Sequence, residues 1–151
     1  MNSAEMGEIE YHAGGKAKKI APGWCMRDLI MCHIQRRFKL IRLLFDVFDT
    51  FAMGQDEKEI FANTDNLRAF LKKMINIRRS EMDSPSFVSK GDFLTMLLQD
   101  ELFRGQDEYI VDECLTFMGA ATQTTTILIS NAIYYLTKCP EKKEILRKEL
   151  F

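Results

Sequence analysis

The amino-acid sequence predicts an all-α chain built around one long central helix. Apolar residues recur at intervals of three and four along most of the chain, which is the spacing of one helix face. One stretch of 23 residues, from position 115 to position 137, carries no charge. Glycine and proline stand between the periodic segments, at Gly54, Pro85 and Pro140, where they interrupt a helical backbone. These three observations define the fold class.

The first 23 residues lack helical periodicity and contain Gly14-Gly15 and Pro22-Gly23. They are predicted to be a flexible N-terminal segment, followed by a helical region over residues 24–151. The first predicted helix runs from Arg27 to Phe51. Its apolar residues lie on one side: Leu29, Ile30, Ile34, Phe38, Ile41, Leu44, Phe45 and Phe48. A basic amphipathic helix of this kind either docks on a protein core or lies on a membrane surface, and both readings stay open.

A second helix is predicted from about Lys58 to Met82, followed by a polar loop around Pro85. Asp92 then has the character of an N-cap for a short helix, because an aspartate side chain accepts hydrogen bonds from the first free backbone N–H groups. The central helix is predicted to begin near Asp107, where a carboxylate suits the positive end of the helix dipole. It should end near Lys138, ahead of Pro140, which in turn opens a last helix.

The uncharged part of the central helix is long enough to cross a bilayer, at about 1.5 Å per residue. It nevertheless contains nine polar side chains that lipid would leave without partners: Thr116, Thr122, Gln123, Thr124, Thr125, Thr126, Ser130, Asn131 and Thr137. We therefore predict a helix buried on all sides within protein rather than a membrane span.

Charge and cysteine content exclude several functions. The net charge of −1 conceals a segment, Lys16 to Phe45, that carries +7, but no nucleic-acid-binding motif accompanies it, so we predict no nucleic-acid partner. Cys25, Cys32, Cys114 and Cys139 are widely spaced and form no C-x-x-C pair, and only two histidines are present. We therefore predict no metal ligands among these side chains. With no signal peptide or apolar anchor, reduced thiols in an intracellular compartment are expected.

The central segment Ala120-Ala121-Thr122-Gln123-Thr124-Thr125, followed by Lys138-Cys139-Pro140-Glu141, is the most specific pattern in the chain. It resembles the I helix and the following J helix of the cytochrome P450 superfamily, the haem-thiolate monooxygenases. There the pattern reads Ala/Gly-Gly-x-Asp/Glu-Thr-Thr and a Pro-Glu turn follows. The order Asp92-Phe93-Leu94 ahead of the helix is also similar. The resemblance implies an internal fragment of a P450 fold, with a long I-like helix and shorter packed helices.

The resemblance also implies a function and roles for four residues. Family members bind haem iron and oxidise a small apolar molecule with O2 and electrons from a reductase, often at the endoplasmic-reticulum membrane. By position, Thr124 would supply the hydroxyl for oxygen activation and proton delivery, and Ala120 and Ala121 would form the helix wall that faces haem. Gln123 stands at the usual acid position, where it can orient water but cannot ionise. A packing role for Gly119-Ala120-Ala121 is the alternative.

The family's axial ligand lies in the pattern Phe-x-x-Gly-x-x-x-Cys-x-Gly. None of the four cysteines has glycine four residues before it or two residues after it, so the axial ligand is expected to be absent and the isolated chain inactive. Trp24 and Arg27 are one residue too close for the Trp-x-x-x-Arg pair that holds a haem propionate in many members. Glu144 and Arg147 match the family's Glu-x-x-Arg signature, which we interpret as chance in a charged helix.

Two other functions are open from the residues alone. The chain could be a non-catalytic helical interaction module, in which the apolar stripes bind a partner and Thr124 is structural. It could also be a peripheral membrane protein that uses the basic segment Arg27–Phe51.

Overall fold

The computed structural model describes residues 7–38, 54–89 and 91–150. Within these ranges two strands precede five helices. The strands are β1 (Ile9–Ala13) and β2 (Lys16–Ile20), and the helices are α1 (Pro22–Arg37), α2 (Gln55–Met82), α3 (Phe93–Gln99), α4 (Asp107–Lys138) and α5 (Pro140–Leu150). A short 3-10 turn, Glu101–Phe103, joins α3 to α4. The predominance of helix confirms the predicted fold class.

The chain divides into two compact units, Met1–Gly119 and Ala120–Phe151, and the boundary falls inside α4. This division does not test the boundary expected after residue 23, which stays a prediction.

The N-terminal segment differs from the sequence-based expectation. Instead of an irregular lead-in, β1 and β2 form an antiparallel hairpin in which Ile9 is paired with Ile20 and Ala13 with Lys16. Its two-residue turn is Gly14-Gly15, with φ values of 59° and 75°. Positive φ at both turn residues matches the twist of the strands, and glycine adopts it without steric cost. The sequence does not predict this hairpin because β2, Lys-Ala-Lys-Lys-Ile, has four exposed residues and no apolar alternation.

Helix α1 also differs from its predicted bounds. It begins at Pro22, where the missing N–H of proline costs nothing in a first turn, and it ends at Arg37, with Phe38 as C-cap. The prediction of a helix from Arg27 to Phe51 is therefore wrong at its start, and Phe38 lies just outside α1. Its continuation over residues 39–51 lies outside the described residues. No glycine or proline stands near Phe38, so local sequence gives no sign of this end.

Helix α2 is the central element of the first unit. Leu67, Leu71 and Ile75 recur at four-residue spacing and are buried. Leu67 packs in one cluster with Ile9, Tyr11, Cys25 and Leu29; the other two pack with Leu97, Ile110 and Val111. Complete burial of one such side chain stabilises the fold by about 1.5–3 kcal/mol. These three apolar residues of α2 thus contribute to both core clusters of the unit.

The remaining three helices begin where the sequence predicts, and α4 also ends there. The carboxylate of Asp92 accepts a hydrogen bond from the Thr95 N–H at 3.0 Å, which confirms the N-cap of α3. Helix α4 spans Asp107–Lys138, and Pro140 is the first residue of α5. Among the described residues, no helix is long and apolar enough to cross a membrane.

One expectation for α4 is not met within this chain. The sequence predicts a helix buried on all sides, yet only Ile110 and Val111, near its start, are buried. Large apolar side chains in its second half are exposed: Ile127, Leu128, Ile129, Ile133, Tyr134 and Tyr135. An uncharged helix favours an apolar environment. Whether the helix is buried depends on the segments that pack against it, which its own sequence does not specify.

Candidate functional site

The threonine predicted to be catalytic makes a hydrogen bond within its own helix. The Thr124 hydroxyl donates to the Ala120 carbonyl oxygen at 2.6 Å. Thr126 makes the same bond to the Thr122 carbonyl at 2.6 Å. A threonine inside a helix commonly bonds to the carbonyl four residues earlier, so this geometry alone does not distinguish a functional threonine. The side chain of Thr124 is exposed, and α4 is continuous through this turn.

The four predicted site residues lie on adjoining faces of one helical turn. Ala120 and Thr124 are four residues apart and therefore share a face, whereas Gln123 is rotated by about 100° from Thr124. Ala120 is exposed, and Ala121 and Gln123 are half-buried. The face that Ala120 and Thr124 share thus carries two small side chains.

Gly119 is not among the predicted site residues, but it has a packing role. A Cβ atom at this position would lie 2.9 Å from Met26 Cε and 3.3 Å from Ile30 Cδ1, so glycine allows α1 to approach α4 closely. The packing alternative raised for Gly119-Ala120-Ala121 therefore holds at its first residue. The signal was present in the sequence, because glycine inside a helix costs about 1 kcal/mol relative to alanine and its presence calls for a packing reason.

Ion pairs hold the first turns of α4 against α2. Arg68 donates to Glu108 at 2.8 Å and to Asp112 at 2.6 Å, and Lys72 also pairs with Glu108. Further along α2, Arg79 contacts both carboxylate oxygens of Asp107. The acidic residues sit at the helix N-terminus, where the dipole adds to the attraction of the cations.

The carboxyl groups in these pairs are acidified. A hydrogen bond from Arg79 lowers the pKa of Asp107, and hydrogen bonds from Lys72 and Arg68 lower the pKa of Glu108. These charges therefore persist through the neutral and mildly acidic range.

A further ion pair joins α2 to α3. Arg78, which is 9% exposed, pairs with Asp92 and donates to the Thr95 hydroxyl at 2.7 Å. Burial alone raises the pKa of Asp92, but hydrogen bonds from the Thr95 N–H and from Arg78 outweigh it, so the net shift is downward. Asp92 thereby serves both as helix cap and as counter-ion.

Three of the four cysteine thiols have raised pKa values and are poor sources of thiolate. Burial, followed by the Asp28 carboxylate, raises the pKa of Cys25 to about 11. Burial is also the main cause of the raised pKa values of Cys32 and Cys114. Cys139 is exposed between α4 and α5. Among the described residues, no group of three or more His, Cys, Asp or Glu side chains could hold a metal ion.

Local contacts join Trp24 to Arg27 and Glu144 to Arg147. The Arg27 guanidinium lies 4.3 Å from the Trp24 ring centroid and donates to Asp28 at 2.8 Å. Arg147 donates to Glu144 at 3.1 Å on the exposed surface of α5. The Trp24–Arg27 and Glu144–Arg147 contacts follow from the i,i+3 spacing of a helix.

Comparison with known proteins supports the interpretation of the central helix. Residues 26–150 match the family model for cytochrome P450. The Aspergillus fumigatus protein "Cytochrome P450 monooxygenase sphH" is 29% identical over 85 residues, which cover 56% of this chain and 15% of that protein. "Cytochrome P450 109" of Bacillus spizizenii is 33% identical over 111 residues, which cover 66% of this chain and 25% of the relative.

A third relative is named as a bifunctional protein. The "Bifunctional cytochrome P450/NADPH--P450 reductase ALT2" of Alternaria alternata is 36% identical over 90 residues, covering 57% of this chain and 8% of the relative. No solved structure matches the chain significantly.

The folded helices, the central threonine motif and the family match over residues 26–150 together define a segment of a haem monooxygenase fold. The chain belongs to the cytochrome P450 family. Its aligned regions span 8% to 25% of the length of the three relatives named above. Haem is the cofactor that this family implies.

Proposed function

We propose that this chain forms the distal part of a P450 monooxygenase domain, with Thr124 as the residue that handles protons during oxygen activation. The observation that carries the proposal is the family match over residues 26–150, which includes the threonine motif around Thr124. The exposed, uncharged second half of α4 supports it, because such a surface is stable in water only when further protein covers it.

The residues of α4 suit the distal side of a haem. Ala120 and Ala121 project only methyl groups, so a flat ring could approach the backbone at this turn. Haem, when bound, supplies the iron at which O2 is reduced. The chain's own contribution is the Thr124 hydroxyl, which now donates to Ala120 and can accept a hydrogen bond from water on its lone pairs.

Proton delivery by Thr124 requires the hydroxyl to rotate away from the Ala120 carbonyl. A water molecule would then replace the proton that the hydroxyl gives up, and solvent would in turn reprotonate that water. Gln123 orients such a water through its amide. It cannot donate a proton as an acid, because an amide does not ionise at physiological pH. We therefore propose slower turnover than a carboxylate at position 123 would give.

The described cysteines do not fit the proximal side. Cys25 is fully buried with a pKa of about 11, and Cys32 and Cys114 also have raised pKa values. No cysteine lies in the family's ligand pattern. We propose that the axial sulfur is not supplied by this chain, which alone lacks oxygenase activity.

Haem reconstitution tests the absence of the axial ligand. Haem added to the purified chain, reduced and exposed to carbon monoxide, should show no thiolate-type Soret band. The same measurement on a complete bacterial P450 provides the positive control. A thiolate band from this chain would overturn the proposal about the axial ligand.

The role of Thr124 is testable in a chimera. Residues 105–150 of this chain would replace the matching segment of Cytochrome P450 109, and product formation and peroxide release would be measured. Thr124→Val should reduce product formation by about tenfold or more, given the usual size of general-acid effects. Thr126→Val is the matched control, because Thr126 makes the same hydrogen bond, and it should change activity less than about twofold. Equal effects of the two variants would refute a special role for Thr124.

An exposed stripe on α1 favours a second function, contact with an anionic membrane surface. Trp24 is 58% exposed and Phe38 is 74% exposed, and Met31 and Ile34 lie between them on the same face. Residues 16–38 carry six basic side chains and one acidic one, a net charge of +5. Aromatic residues beside basic ones suit the headgroup region of a bilayer.

Vesicle binding tests this second function. The chain should bind vesicles containing phosphatidylserine, and binding should weaken as salt is added. Replacing Trp24 and Phe38 with serine should weaken binding by about tenfold. Leu102→Ser is the control, because Leu102 is 77% exposed but lies outside the stripe. Equal losses for the stripe and control variants would exclude the stripe as the contact surface.

The alternative of a free-standing interaction module makes a different prediction. A chain that is part of a larger domain should bind a hydrophobic dye through the exposed residues of α4. A cooperative thermal transition without dye binding would favour the module.

A further inference from the structure

The hairpin lies before residue 26, where the family match begins. It is nevertheless integrated into the first unit. Ile9 and Tyr11 are 5% and 7% exposed, and they pack with Cys25, Leu29 and Leu67 of α1 and α2. A segment outside the family match therefore supplies part of the core.

The free edge of β1 faces α2. A two-residue turn makes Ala13 and Lys16 a hydrogen-bonded pair, so the backbone groups of the alternate residues His12 and Glu10 point away from β2. Such an edge normally exposes unpaired N–H and C=O groups to water or to another strand.

Two asparagines of α2 satisfy that edge. The His12 N–H donates to Asn63 Oδ1 at 2.7 Å, and Asn63 Nδ2 donates back to the His12 carbonyl at 2.8 Å. Asn66 Nδ2 donates to the Glu10 carbonyl at 2.9 Å. The Asn63 amide thus pairs with one residue as a neighbouring strand would, through one donor and one acceptor.

A buried carboxylate recognises the turn. The Gly14 and Gly15 N–H groups donate to Glu59 Oε2 at 2.9 Å and Oε1 at 2.7 Å. Glu59 is 8% exposed. Consecutive N–H groups in a glycine turn form a concave site for an anion, and a buried carboxylate requires such partners.

The three polar residues share one face of α2, at positions 59, 63 and 66, beside the apolar floor formed by Leu67. We infer that α1 and α2 form a docking groove for an extended strand, and that residues 9–20 of this chain occupy it as a clasp. The groove fits a segment with apolar side chains at alternate positions, a free backbone edge and a Gly-Gly turn. This inference does not depend on the chemistry proposed for Thr124.

Amide hydrogen exchange in the full chain tests the clasp directly. The amides of His12, Gly14 and Gly15 have no partner within a hairpin of this register, so docking alone protects them. They should exchange about a hundredfold more slowly than in a free peptide. Exchange of these three amides at free-peptide rates, beside a protected Tyr11 amide, would show an undocked hairpin and overturn the inference.

Matched variants locate the contacts. Asn63→Ala should speed exchange at His12 by about tenfold, and Glu59→Gln should do the same mainly at Gly14 and Gly15. Asp65→Asn is the control, because Asp65 lies on the exposed face of α2 and should leave all three amides protected. Circular dichroism confirms that each variant retains its helices. Faster exchange at all three amides in the Asp65→Asn control would contradict the roles given to Asn63 and Glu59. If a variant unfolds, the exchange rates of the wild-type chain alone decide whether the hairpin is docked.

Discussion

Arg79 forms a two-point ion pair with Asp107, the first residue of α4. Its Nη1 and Nη2 atoms donate to the two carboxylate oxygens at 2.8 and 2.5 Å. The pair joins the end of α2 to the start of the helix that carries the threonine motif. A guanidinium matches a carboxylate in this geometry, which an ammonium cannot do.

Replacing Arg79 with lysine should lower the free energy of unfolding by about 0.5–1 kcal/mol, because the charge stays but the paired hydrogen bonds are lost. Urea denaturation measures the change. Arg104→Lys is the control, since Arg104 is exposed and lies 4.0 Å from Glu101. If the two variants lose equal stability, the Arg79 pair has no structural role.

Stability should decline in acid, and the sign follows from the pKa shifts. Asp107 and Asp92 have pKa values below the ordinary 3.8 in the folded chain. Their ionised forms therefore stabilise the fold above that value, and the contribution is lost as pH falls through 3.8 toward the lower folded pKa values. The free energy of unfolding should fall between about pH 5 and pH 3. In Asp107→Asn the fall should be shallower; an identical pH profile would contradict this account.

Substitutions at Gly119 should depend on side-chain size. Gly119→Ala should change stability by less than about 1 kcal/mol, because improved helix propensity offsets the contact with the flexible tip of Met26. Gly119→Leu should destabilise the chain by about 1–3 kcal/mol through overpacking. Adding Met26→Ala should recover part of that loss, which thermal denaturation of the single and double variants would reveal. Strict additivity would argue against the contact.

The exposed Cys139 and the buried Cys25 should react with a thiol reagent at different rates. A thiol reagent at pH 8 should modify Cys139 first, because this residue is exposed. Cys25 is fully buried with a pKa of about 11, so it should react only when the chain unfolds. Mass spectrometry of peptides from a labelling time course gives the order. Early labelling of Cys25 would mean that α1 does not pack as described.

Local signals predicted several elements well. Asp92, Asp107 and Pro140 mark helix starts through capping, dipole and backbone effects that act within one turn of chain. The motif around Thr124 was enough to suggest the family, which the match over residues 26–150 confirms. These features are readable because the interacting groups are neighbours in sequence.

The elements missed are those whose partners are distant. The sequence around Gly14-Gly15 indicates only a break in helical pattern, because Glu59, which binds both glycine N–H groups, follows about 45 positions later. The sequence offers a packing role for Gly119 only as an alternative, because Met26, which packs against it, lies far away in the chain.

The sequence by itself determined the helical class, the bounds of α4 and the family of this protein, because periodicity, caps and motif spacing are local. Only the tertiary structure decided that residues 9–20 are a docked hairpin, that α1 ends at Arg37, and that Gly119 receives the side chains of α1. Each of these features depends on contacts between segments that are far apart in the chain. The entropy cost of closing the loop between such segments and the energy gained by packing them cannot be read from a local sequence pattern.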